Sequence, residues 1–284
     1  MAKHCIVFAR FGERVMNCVD LLARVIEQVL SVGKLLAAEW DRPDGPRGSG
    51  DKAEVDVEIE VALRRELLAL LDCDFWGEET GRRLTGHEFC WVVDPNDGTS
   101  DFLLGRRGSA ISVGLLQNAV PVLGVVYAPV TNDRGPDCIS WAKGTGGVLR
   151  NGQILLHRLE HLELAIGSKL LVSTAAVNKA ELNAKLCFPA EFIPMPSIAY
   201  RLARVAAGDA VAGVSLVPVS AHDIVAGHAI LIGARGVLLN QLGNPITYES
   251  EAYLSKSSLR CFGGAPRACQ ELSRRNWDEL FIAP

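Results

Sequence analysis

Apolar and polar positions follow two rhythms along this chain. Over residues 15–38 the apolar ones recur at helical spacing, with Leu21, Leu22, Val25, Ile26, Val29 and Leu30 on one side and Arg24, Glu27 and Gln28 on the other. Residues 40–50 are rich in Pro and Gly and read as a mobile loop. Residues 54–71 form a second amphipathic helix, whose expected buried set is Val57, Val61, Leu63, Leu67, Leu68 and Leu71. After that the period shortens. Residues 75–80 read as a short strand ending in an acidic turn, and 89–93 as a buried strand. Two β-rich runs, 110–116 and 120–127, are joined by Gln117-Asn118-Ala119 as in a hairpin, and 139–142 and 147–149 continue the β character.

Near residue 160 the pattern changes to alternation. Strands are expected at 170–173, 188–193, 210–217 and 236–239, and helices at 175–186, 198–207 and 222–232, the last stopping at Gly233. No internal repeat is present. The expected organisation is two parts. Residues 1–155 carry two helices and a mostly antiparallel sheet, and residues 156–284 form an α/β lobe.

Composition narrows the class. The 284 residues are 49% hydrophobic and 22% charged, as in globular chains. A formal net charge of -4 leaves no basic footprint, so a nucleic-acid polymer is not expected as partner. The eight cysteines are scattered without a C-x-x-C pair, which speaks against a zinc site or a disulfide framework. With no signal-peptide pattern and no bilayer-length apolar run, the expectation is reduced thiols in a cytoplasmic protein with no membrane partner.

Acids stand at the ends of the expected elements: Glu78-Glu79, Asp94 with Asp97, and Asp223. Singly, such acids are more often solvated turn or cap residues, and Ser220 or Asp223 can simply cap the following helix. The Asp94/Asp97 pair differs. It follows a buried-looking strand and sits in a Pro95-Asn96-Asp97-Gly98 turn, where Pro fixes φ and Gly permits φ > 0. Like charges on one tight turn are poor for stability and good for a divalent cation held by oxygen. Mg²⁺ takes such ligands, and two ions can clamp the attacking and leaving oxygens of a phosphoryl group. Gly98-Thr99-Ser100 would add an anion site if a helix starts there, though Thr99 or Ser100 can equally be a plain cap.

Three segments carry a resemblance. They are Trp76-Gly77-Glu78-Glu79, Val92-Val93-Asp94-Pro95-Asn96-Asp97-Gly98-Thr99-Ser100-Asp101-Phe102, and Ala221-His222-Asp223-Ile224-Val225-Ala226-Gly227-His228-Ala229. Together, over about residues 50–265, they resemble the motifs of the inositol monophosphatase superfamily of Mg²⁺-dependent, often lithium-sensitive phosphatases. The resemblance implies a layered αβαβα sandwich, commonly dimeric. It implies metal binding by Glu78, Asp94, the Asn96 carbonyl, Asp97 and Asp223, and phosphate binding at Gly98, Thr99 and Ser100. It also implies that Asp56, acting through Thr99, activates the nucleophilic water. Without the resemblance, Asp56 reads as an ordinary acid in a helix's first turn.

The departures bear on the substrate. Ala53 stands where the family has threonine, Asn96 where it has an aliphatic residue, and His222 where it has tryptophan. His222 reads first as a packed helix-start residue. Leu216 stands where inositol-specific members carry an acid that contacts the polyol. Gly124 to Pro129 and Gly227-His228-Ala229 resemble the bisphosphate-nucleotidase branch, whereas Ser100-Asp101-Phe102 does not. The substrate expected is a small phosphorylated metabolite such as 3'-phosphoadenosine 5'-phosphate, with Tyr200 and His222 as candidate contacts. The alternatives are an inositol, sugar or histidinol phosphate, or a family member acting mainly as a binding or regulatory protein.

Overall fold

The computed structural model describes residues 8–11 and 14–282. The first helix, Cys18–Trp40, begins later than the apolar pattern suggests. Val15 belongs instead to a short strand, Arg14–Asn17, paired with Phe8–Phe11. Asn17 then caps the helix, its side chain accepting the Asp20 N–H at 2.8 Å. The segment read as a mobile loop is tied down. Glu39, buried on the helix's last turn, accepts the Arg47 backbone N–H at 2.7 Å and pairs with its guanidinium at 2.7 Å. Gly48–Ser49 then pairs with Lys52–Ala53 and delivers the chain to the second helix, Glu54–Leu70.

That second helix buries Leu63, Leu67 and Leu71 as expected and packs Leu68 partly against the core, but its first two turns bury a different stripe. Val57 and Val61 are 47% and 55% exposed, while Val55, Ile59, Leu63, Leu67 and Leu70 face inward. Two acids on the inward face, Asp56 and Glu60, explain the rotation: both are buried, and both are used at the site below. Apolar periodicity alone cannot register a stripe whose members include carboxylates.

The larger sheet has eight strands. In spatial order they are Gln153–Leu155, Val148–Arg150, Asp137–Ala142, Val120–Ala128, Ala110–Gln117, Phe89–Asp97, Asp74–Gly77 and Arg82–Arg83. Every pairing is antiparallel except that of Asp74–Gly77 with Phe89–Asp97. The smaller sheet runs Glu191–Pro194, Lys169–Val172, Ala212–Ser215, Cys261–Gly264 and Val237–Asn240. Its Cys261–Gly264 strand, between Ala212–Ser215 and Val237–Asn240, carries no apolar alternation and was not anticipated.

Three apolar clusters order these parts into layers. The first two helices pack on one face of the large sheet through Val25, Val29, Ile59, Leu63, Trp91 and Val113. The helices Ile198–Ala206 and Ala221–Gly233 fill the space between the sheets, where Leu202, Val225 and Leu231 meet Val126, Ile139 and Leu238. Leu186, Cys269 and Trp277 cover the outer face of the small sheet. The result is a helix–sheet–helix–sheet–helix sandwich, the α/β fold class expected. Among the described residues no helix is long and apolar enough to cross a membrane.

Candidate metal and phosphate site

The Phe89–Asp97 strand does not end at Asp94. It runs on to Asp97 with a register shift against its neighbour: Asp94 pairs with Ser112 and Asp97 with Ala110. In a regular strand, residues three apart point to opposite faces. The extra residue of the bulge brings Asp97 back to the side of Asp94. The helix Ala221–Gly233 brings in a third carboxylate, so that Asp94, Asp97 and Asp223 each have an oxygen within 4.8 Å of the others. Glu78, Asp94 and His222 form a second group within the same span.

The turn that carries Glu78 is held from behind. Glu60 is fully buried, and its carboxylate accepts the N–H groups of Glu79 at 2.9 Å and Thr80 at 2.5 Å and the Thr80 hydroxyl at 2.6 Å. Gly77 makes room for it, since a Cβ there would stand 2.1 Å from Glu60 Oε1. Glu79, expected as a turn acid, offers its backbone N–H to Glu60 and joins neither group of converging acids.

Asp97 is pinned from across the sandwich. One oxygen, Oδ2, accepts the Ser197 hydroxyl and the Ala199 N–H, both at 2.6 Å. Ser197 also caps the Ile198–Ala206 helix by accepting the Tyr200 N–H at 2.9 Å. The positive end of that helix therefore meets Asp97, and Oδ1 is left for another partner. Neither Ser197 nor Glu60 was anticipated; Ser197, directly before an apolar helical run, carried a capping signal.

Asp56 sits beside the bulge. Its Oδ1 accepts Asn96 Nδ2 at 3.0 Å, and its Oδ2 lies 3.1 Å from the Thr99 hydroxyl and 3.3 Å from the Ala53 N–H. Thr99 Oγ1 is also 2.8 Å from the Asn96 carbonyl, so its proton has two acceptors to choose between. Asn96 thus does more than present a carbonyl: its side chain anchors Asp56. Gly98 takes φ +96°, which favours glycine, and a Cβ there would stand 3.1 Å from the Ser197 backbone nitrogen. A short helix, Thr99–Leu103, follows with Ser100 exposed at its start.

The electrostatics of the cluster are uncompensated. Among the described residues no Lys or Arg lies within ion-pair distance of Glu78, Asp94, Asp97 or Asp223; His222 stands nearest, and the buried Arg201 offsets Asp97 only in part and from farther away. Burial, then repulsion from Asp223, pushes Asp97 up to about 6 despite its hydrogen bonds. Burial pushes Asp223 up to about 6 against the Ser220 N–H that it accepts. Asp94 is raised well above the carboxylate range by burial and by the charges of Glu78, Asp97 and Asp223. Burial also raises Glu78 to about 7, offset in part by His222, and Asp56 to about 6, offset in part by Asn96. A converging, self-repelling set of carboxylates, with Asp94 and Asp97 buried at its centre, is the donor chemistry of a hard divalent cation.

Of the two candidate substrate contacts, His222 lies at the cluster and Tyr200 does not. Tyr200 is 1% exposed and donates its hydroxyl to Asp137 at 2.6 Å, on the strand three positions from Phe89–Asp97. The ring itself is buried, with the Arg204 guanidinium over it at 5.6 Å, so no face is open to a base and the platform at Tyr200 is withdrawn.

Comparison with known proteins adds a family. A family model described as "Inositol monophosphatase family" matches residues 20–274. A probable inositol 1-monophosphatase, ImpA, of Mycobacterium tuberculosis is 32% identical over 143 residues, 48% of this chain and 51% of its own length. A fructose-1,6-bisphosphatase/inositol-1-monophosphatase of Aquifex aeolicus is 34% identical over 113 residues, 39% of this chain and 41% of its own. The matched stretches thus span about half or less of these relatives. The solved structure of the extragenic suppressor protein suhB from Bartonella henselae superposes with a TM-score of 0.72 at 19% identity, over 89% of this chain and 97% of that one.

Proposed function

The chain belongs to the inositol monophosphatase family, and from that premise we propose that it hydrolyses phosphomonoesters of small metabolites with Mg²⁺ as cofactor. The observation that carries this reading is the convergence of Asp94, Asp97 and Asp223, with Glu78 beside them and no Lys or Arg among the described residues in an ion pair with any of them. Glu78, Asp94, the Asn96 carbonyl, Asp97 and Asp223 would hold the metal. Bound there, Mg²⁺ supplies positive charge to the phosphoryl oxygens and lowers the pKa of water.

The protein groups divide the remaining work. Thr99 and Asp56 form a relay: the threonine hydroxyl orients the attacking water, and Asp56, steadied by Asn96 Nδ2 and the Ala53 N–H, draws the proton through it. The raised position of Asp56, about 6, suits a base working near neutral pH. Gly98, Thr99 and Ser100 present first-turn N–H groups, which a helix leaves unpaired, to the phosphate. Ser197 and Glu60 hold Asp97 and the Glu78 turn in place.

For the substrate, Leu216 supports a nucleotide such as 3'-phosphoadenosine 5'-phosphate over a polyol. It is a half-buried apolar residue packed on the small-sheet core, where inositol-specific members present an acid. The names of the two curated relatives favour the alternative, an inositol or sugar phosphate. Phosphate release from 3'-phosphoadenosine 5'-phosphate, myo-inositol 1-phosphate, fructose 1,6-bisphosphate and histidinol phosphate, each with and without Mg²⁺, decides it. Mg²⁺-dependent release from the adenosine bisphosphate alone is expected. Release from the inositol ester alone would reject the nucleotide reading, and no release from any would favour a binding role. By the same family resemblance we propose a homodimer.

A further inference from the structure

We infer that His222 is a nitrogen ligand of the metal site and shifts the preference of the site from Mg²⁺ toward Mn²⁺. The inference rests on the metal reading above and adds a donor to it. His222 Nε2 lies 3.9 Å from Glu78 Oε1 and 3.7 Å from Asp223 Oδ1. Both separations exceed hydrogen-bond reach. They lie within the span open to two donors that share one cation: with bonds of about 2.1 Å, ligands stand roughly 3 Å apart at right angles and roughly 4.2 Å apart when opposed. His222 also falls with Glu78 and Asp94 in a group in which one ligand atom of each lies within 4.8 Å of the others.

The ring has no other polar engagement among the described residues. Nδ1 is buried without a hydrogen-bond partner, so nothing in the protein commits either nitrogen to a fixed tautomer. The side chain is 17% exposed, and its backbone is anchored, since the His222 carbonyl accepts the Ser112 hydroxyl at 3.2 Å. The ring is therefore positioned at the cluster by packing and strand contact, with Nε2 turned toward the acids. Imidazole is a better donor to Mn²⁺ and the later first-row ions than to Mg²⁺, which takes oxygen. Where the family resemblance expects tryptophan, this chain thus places a group that can bind the ion.

Electron spin-echo spectroscopy of the protein loaded with Mn²⁺ tests this directly. A coordinated imidazole modulates the echo through its ¹⁴N nucleus. The expected result is ¹⁴N modulation in the wild-type protein, lost in His222→Phe while Mn²⁺ still binds. Calorimetric titration of the same variant is expected to lower the Mn²⁺ to Mg²⁺ affinity ratio about tenfold. Mn²⁺ binding without nitrogen modulation in the wild type would overturn the inference and leave the metal reading standing. Failure of the wild type to bind either ion would overturn both. The wild-type spectrum needs no variant, so misfolding of His222→Phe cannot mask the result.

Discussion

The Ile198–Ala206 helix has an acid cluster at each end, and the two are built on opposite terms. At its C-terminal end Asp133, Asp137 and Asp209 meet Arg134, Arg150 and Arg204. Arg150 reaches Asp137 at 2.6 Å and Asp209 at 2.9 Å, and Arg204 reaches Asp209 at 2.6 Å and Asp133 at 2.7 Å. Burial alone would raise Asp209, but its bonds and charge contacts with Arg150 and Arg204 hold it below the ordinary carboxylate range. At its N-terminal end Asp97 joins Asp94, Asp223 and Glu78, and every one of them is raised. One cluster is finished by the chain's own cations. The other has hydrogen bonds, a helix dipole and the more distant charge of Arg201, too little to keep four carboxylates from being raised. On the function proposed above, the difference separates structure from function: an acid cluster neutralised from within is a strut, and one left without ion pairs would receive a cation from outside.

That contrast can be broken by substitution. The largest effect is expected at the strut. Arg150→Ala strands the fully buried Asp137 and should cost about 3–5 kcal/mol of folding stability, with or without Mg²⁺, in denaturant titration. Asp97→Asn should do the reverse. It should lower Mg²⁺-dependent phosphate release by more than ~100-fold, since outer-shell changes at metal sites already cost about 10–100-fold. It should also leave the metal-free protein as stable as the wild type or more so, because a repelled buried charge is gone.

Acidity sharpens the same point through its sign. Asp97 and Asp223 titrate at about 6 in the folded protein, above the unfolded value of about 3.9. The folded state then holds protons more tightly, so the stability they contribute is present below about pH 4 and lost as pH rises through about 6. Asp209 and Asp133, lowered in the fold, contribute stability above about pH 4 that is lost as pH falls. Melting of the metal-free protein from pH 4 to 8 should show the loss toward neutrality, and saturating Mg²⁺ should remove it. Thr99→Val comes next, with turnover down about 10–100-fold and Mg²⁺ affinity nearly unchanged, read from kcat and titration separately. The smallest effect is expected at Val57. Exposed on its helix, it should tolerate Val57→Ser within about 0.5 kcal/mol.

How much of this was legible in the chain follows from where each contact is made. Asp94, Asp97, Asp223 and Glu78 were readable because each stands at the end of an element beside its own turn residues. The layered sandwich was legible through the family resemblance, while the change of apolar period near residue 160 by itself gave only an α/β second half. The bulge that brings Asp97 to the side of Asp94 was not, since register lies in the partner strand Ala110–Gln117. Ser197 and Ala199 reach Asp97 from 100 and 102 residues away, and Glu60 reaches the Glu79–Thr80 backbone from another layer. Tyr200 looked available as an aromatic near the site. Its direction was set by Asp137, a buried acid on a distant strand. In each case the missing information was a tertiary partner, which local pattern does not contain.

The central claim is that the Glu78, Asp94, Asp97 and Asp223 cluster is completed by a divalent cation. Calorimetric titration of the metal-free protein with Mg²⁺ at pH 7.5 tests it most directly. Saturable binding that is abolished in Asp94→Asn and retained in Asp133→Asn, which alters only the cluster at the other end of the helix, is the result predicted. No binding heat, or binding unchanged by Asp94→Asn, would contradict it.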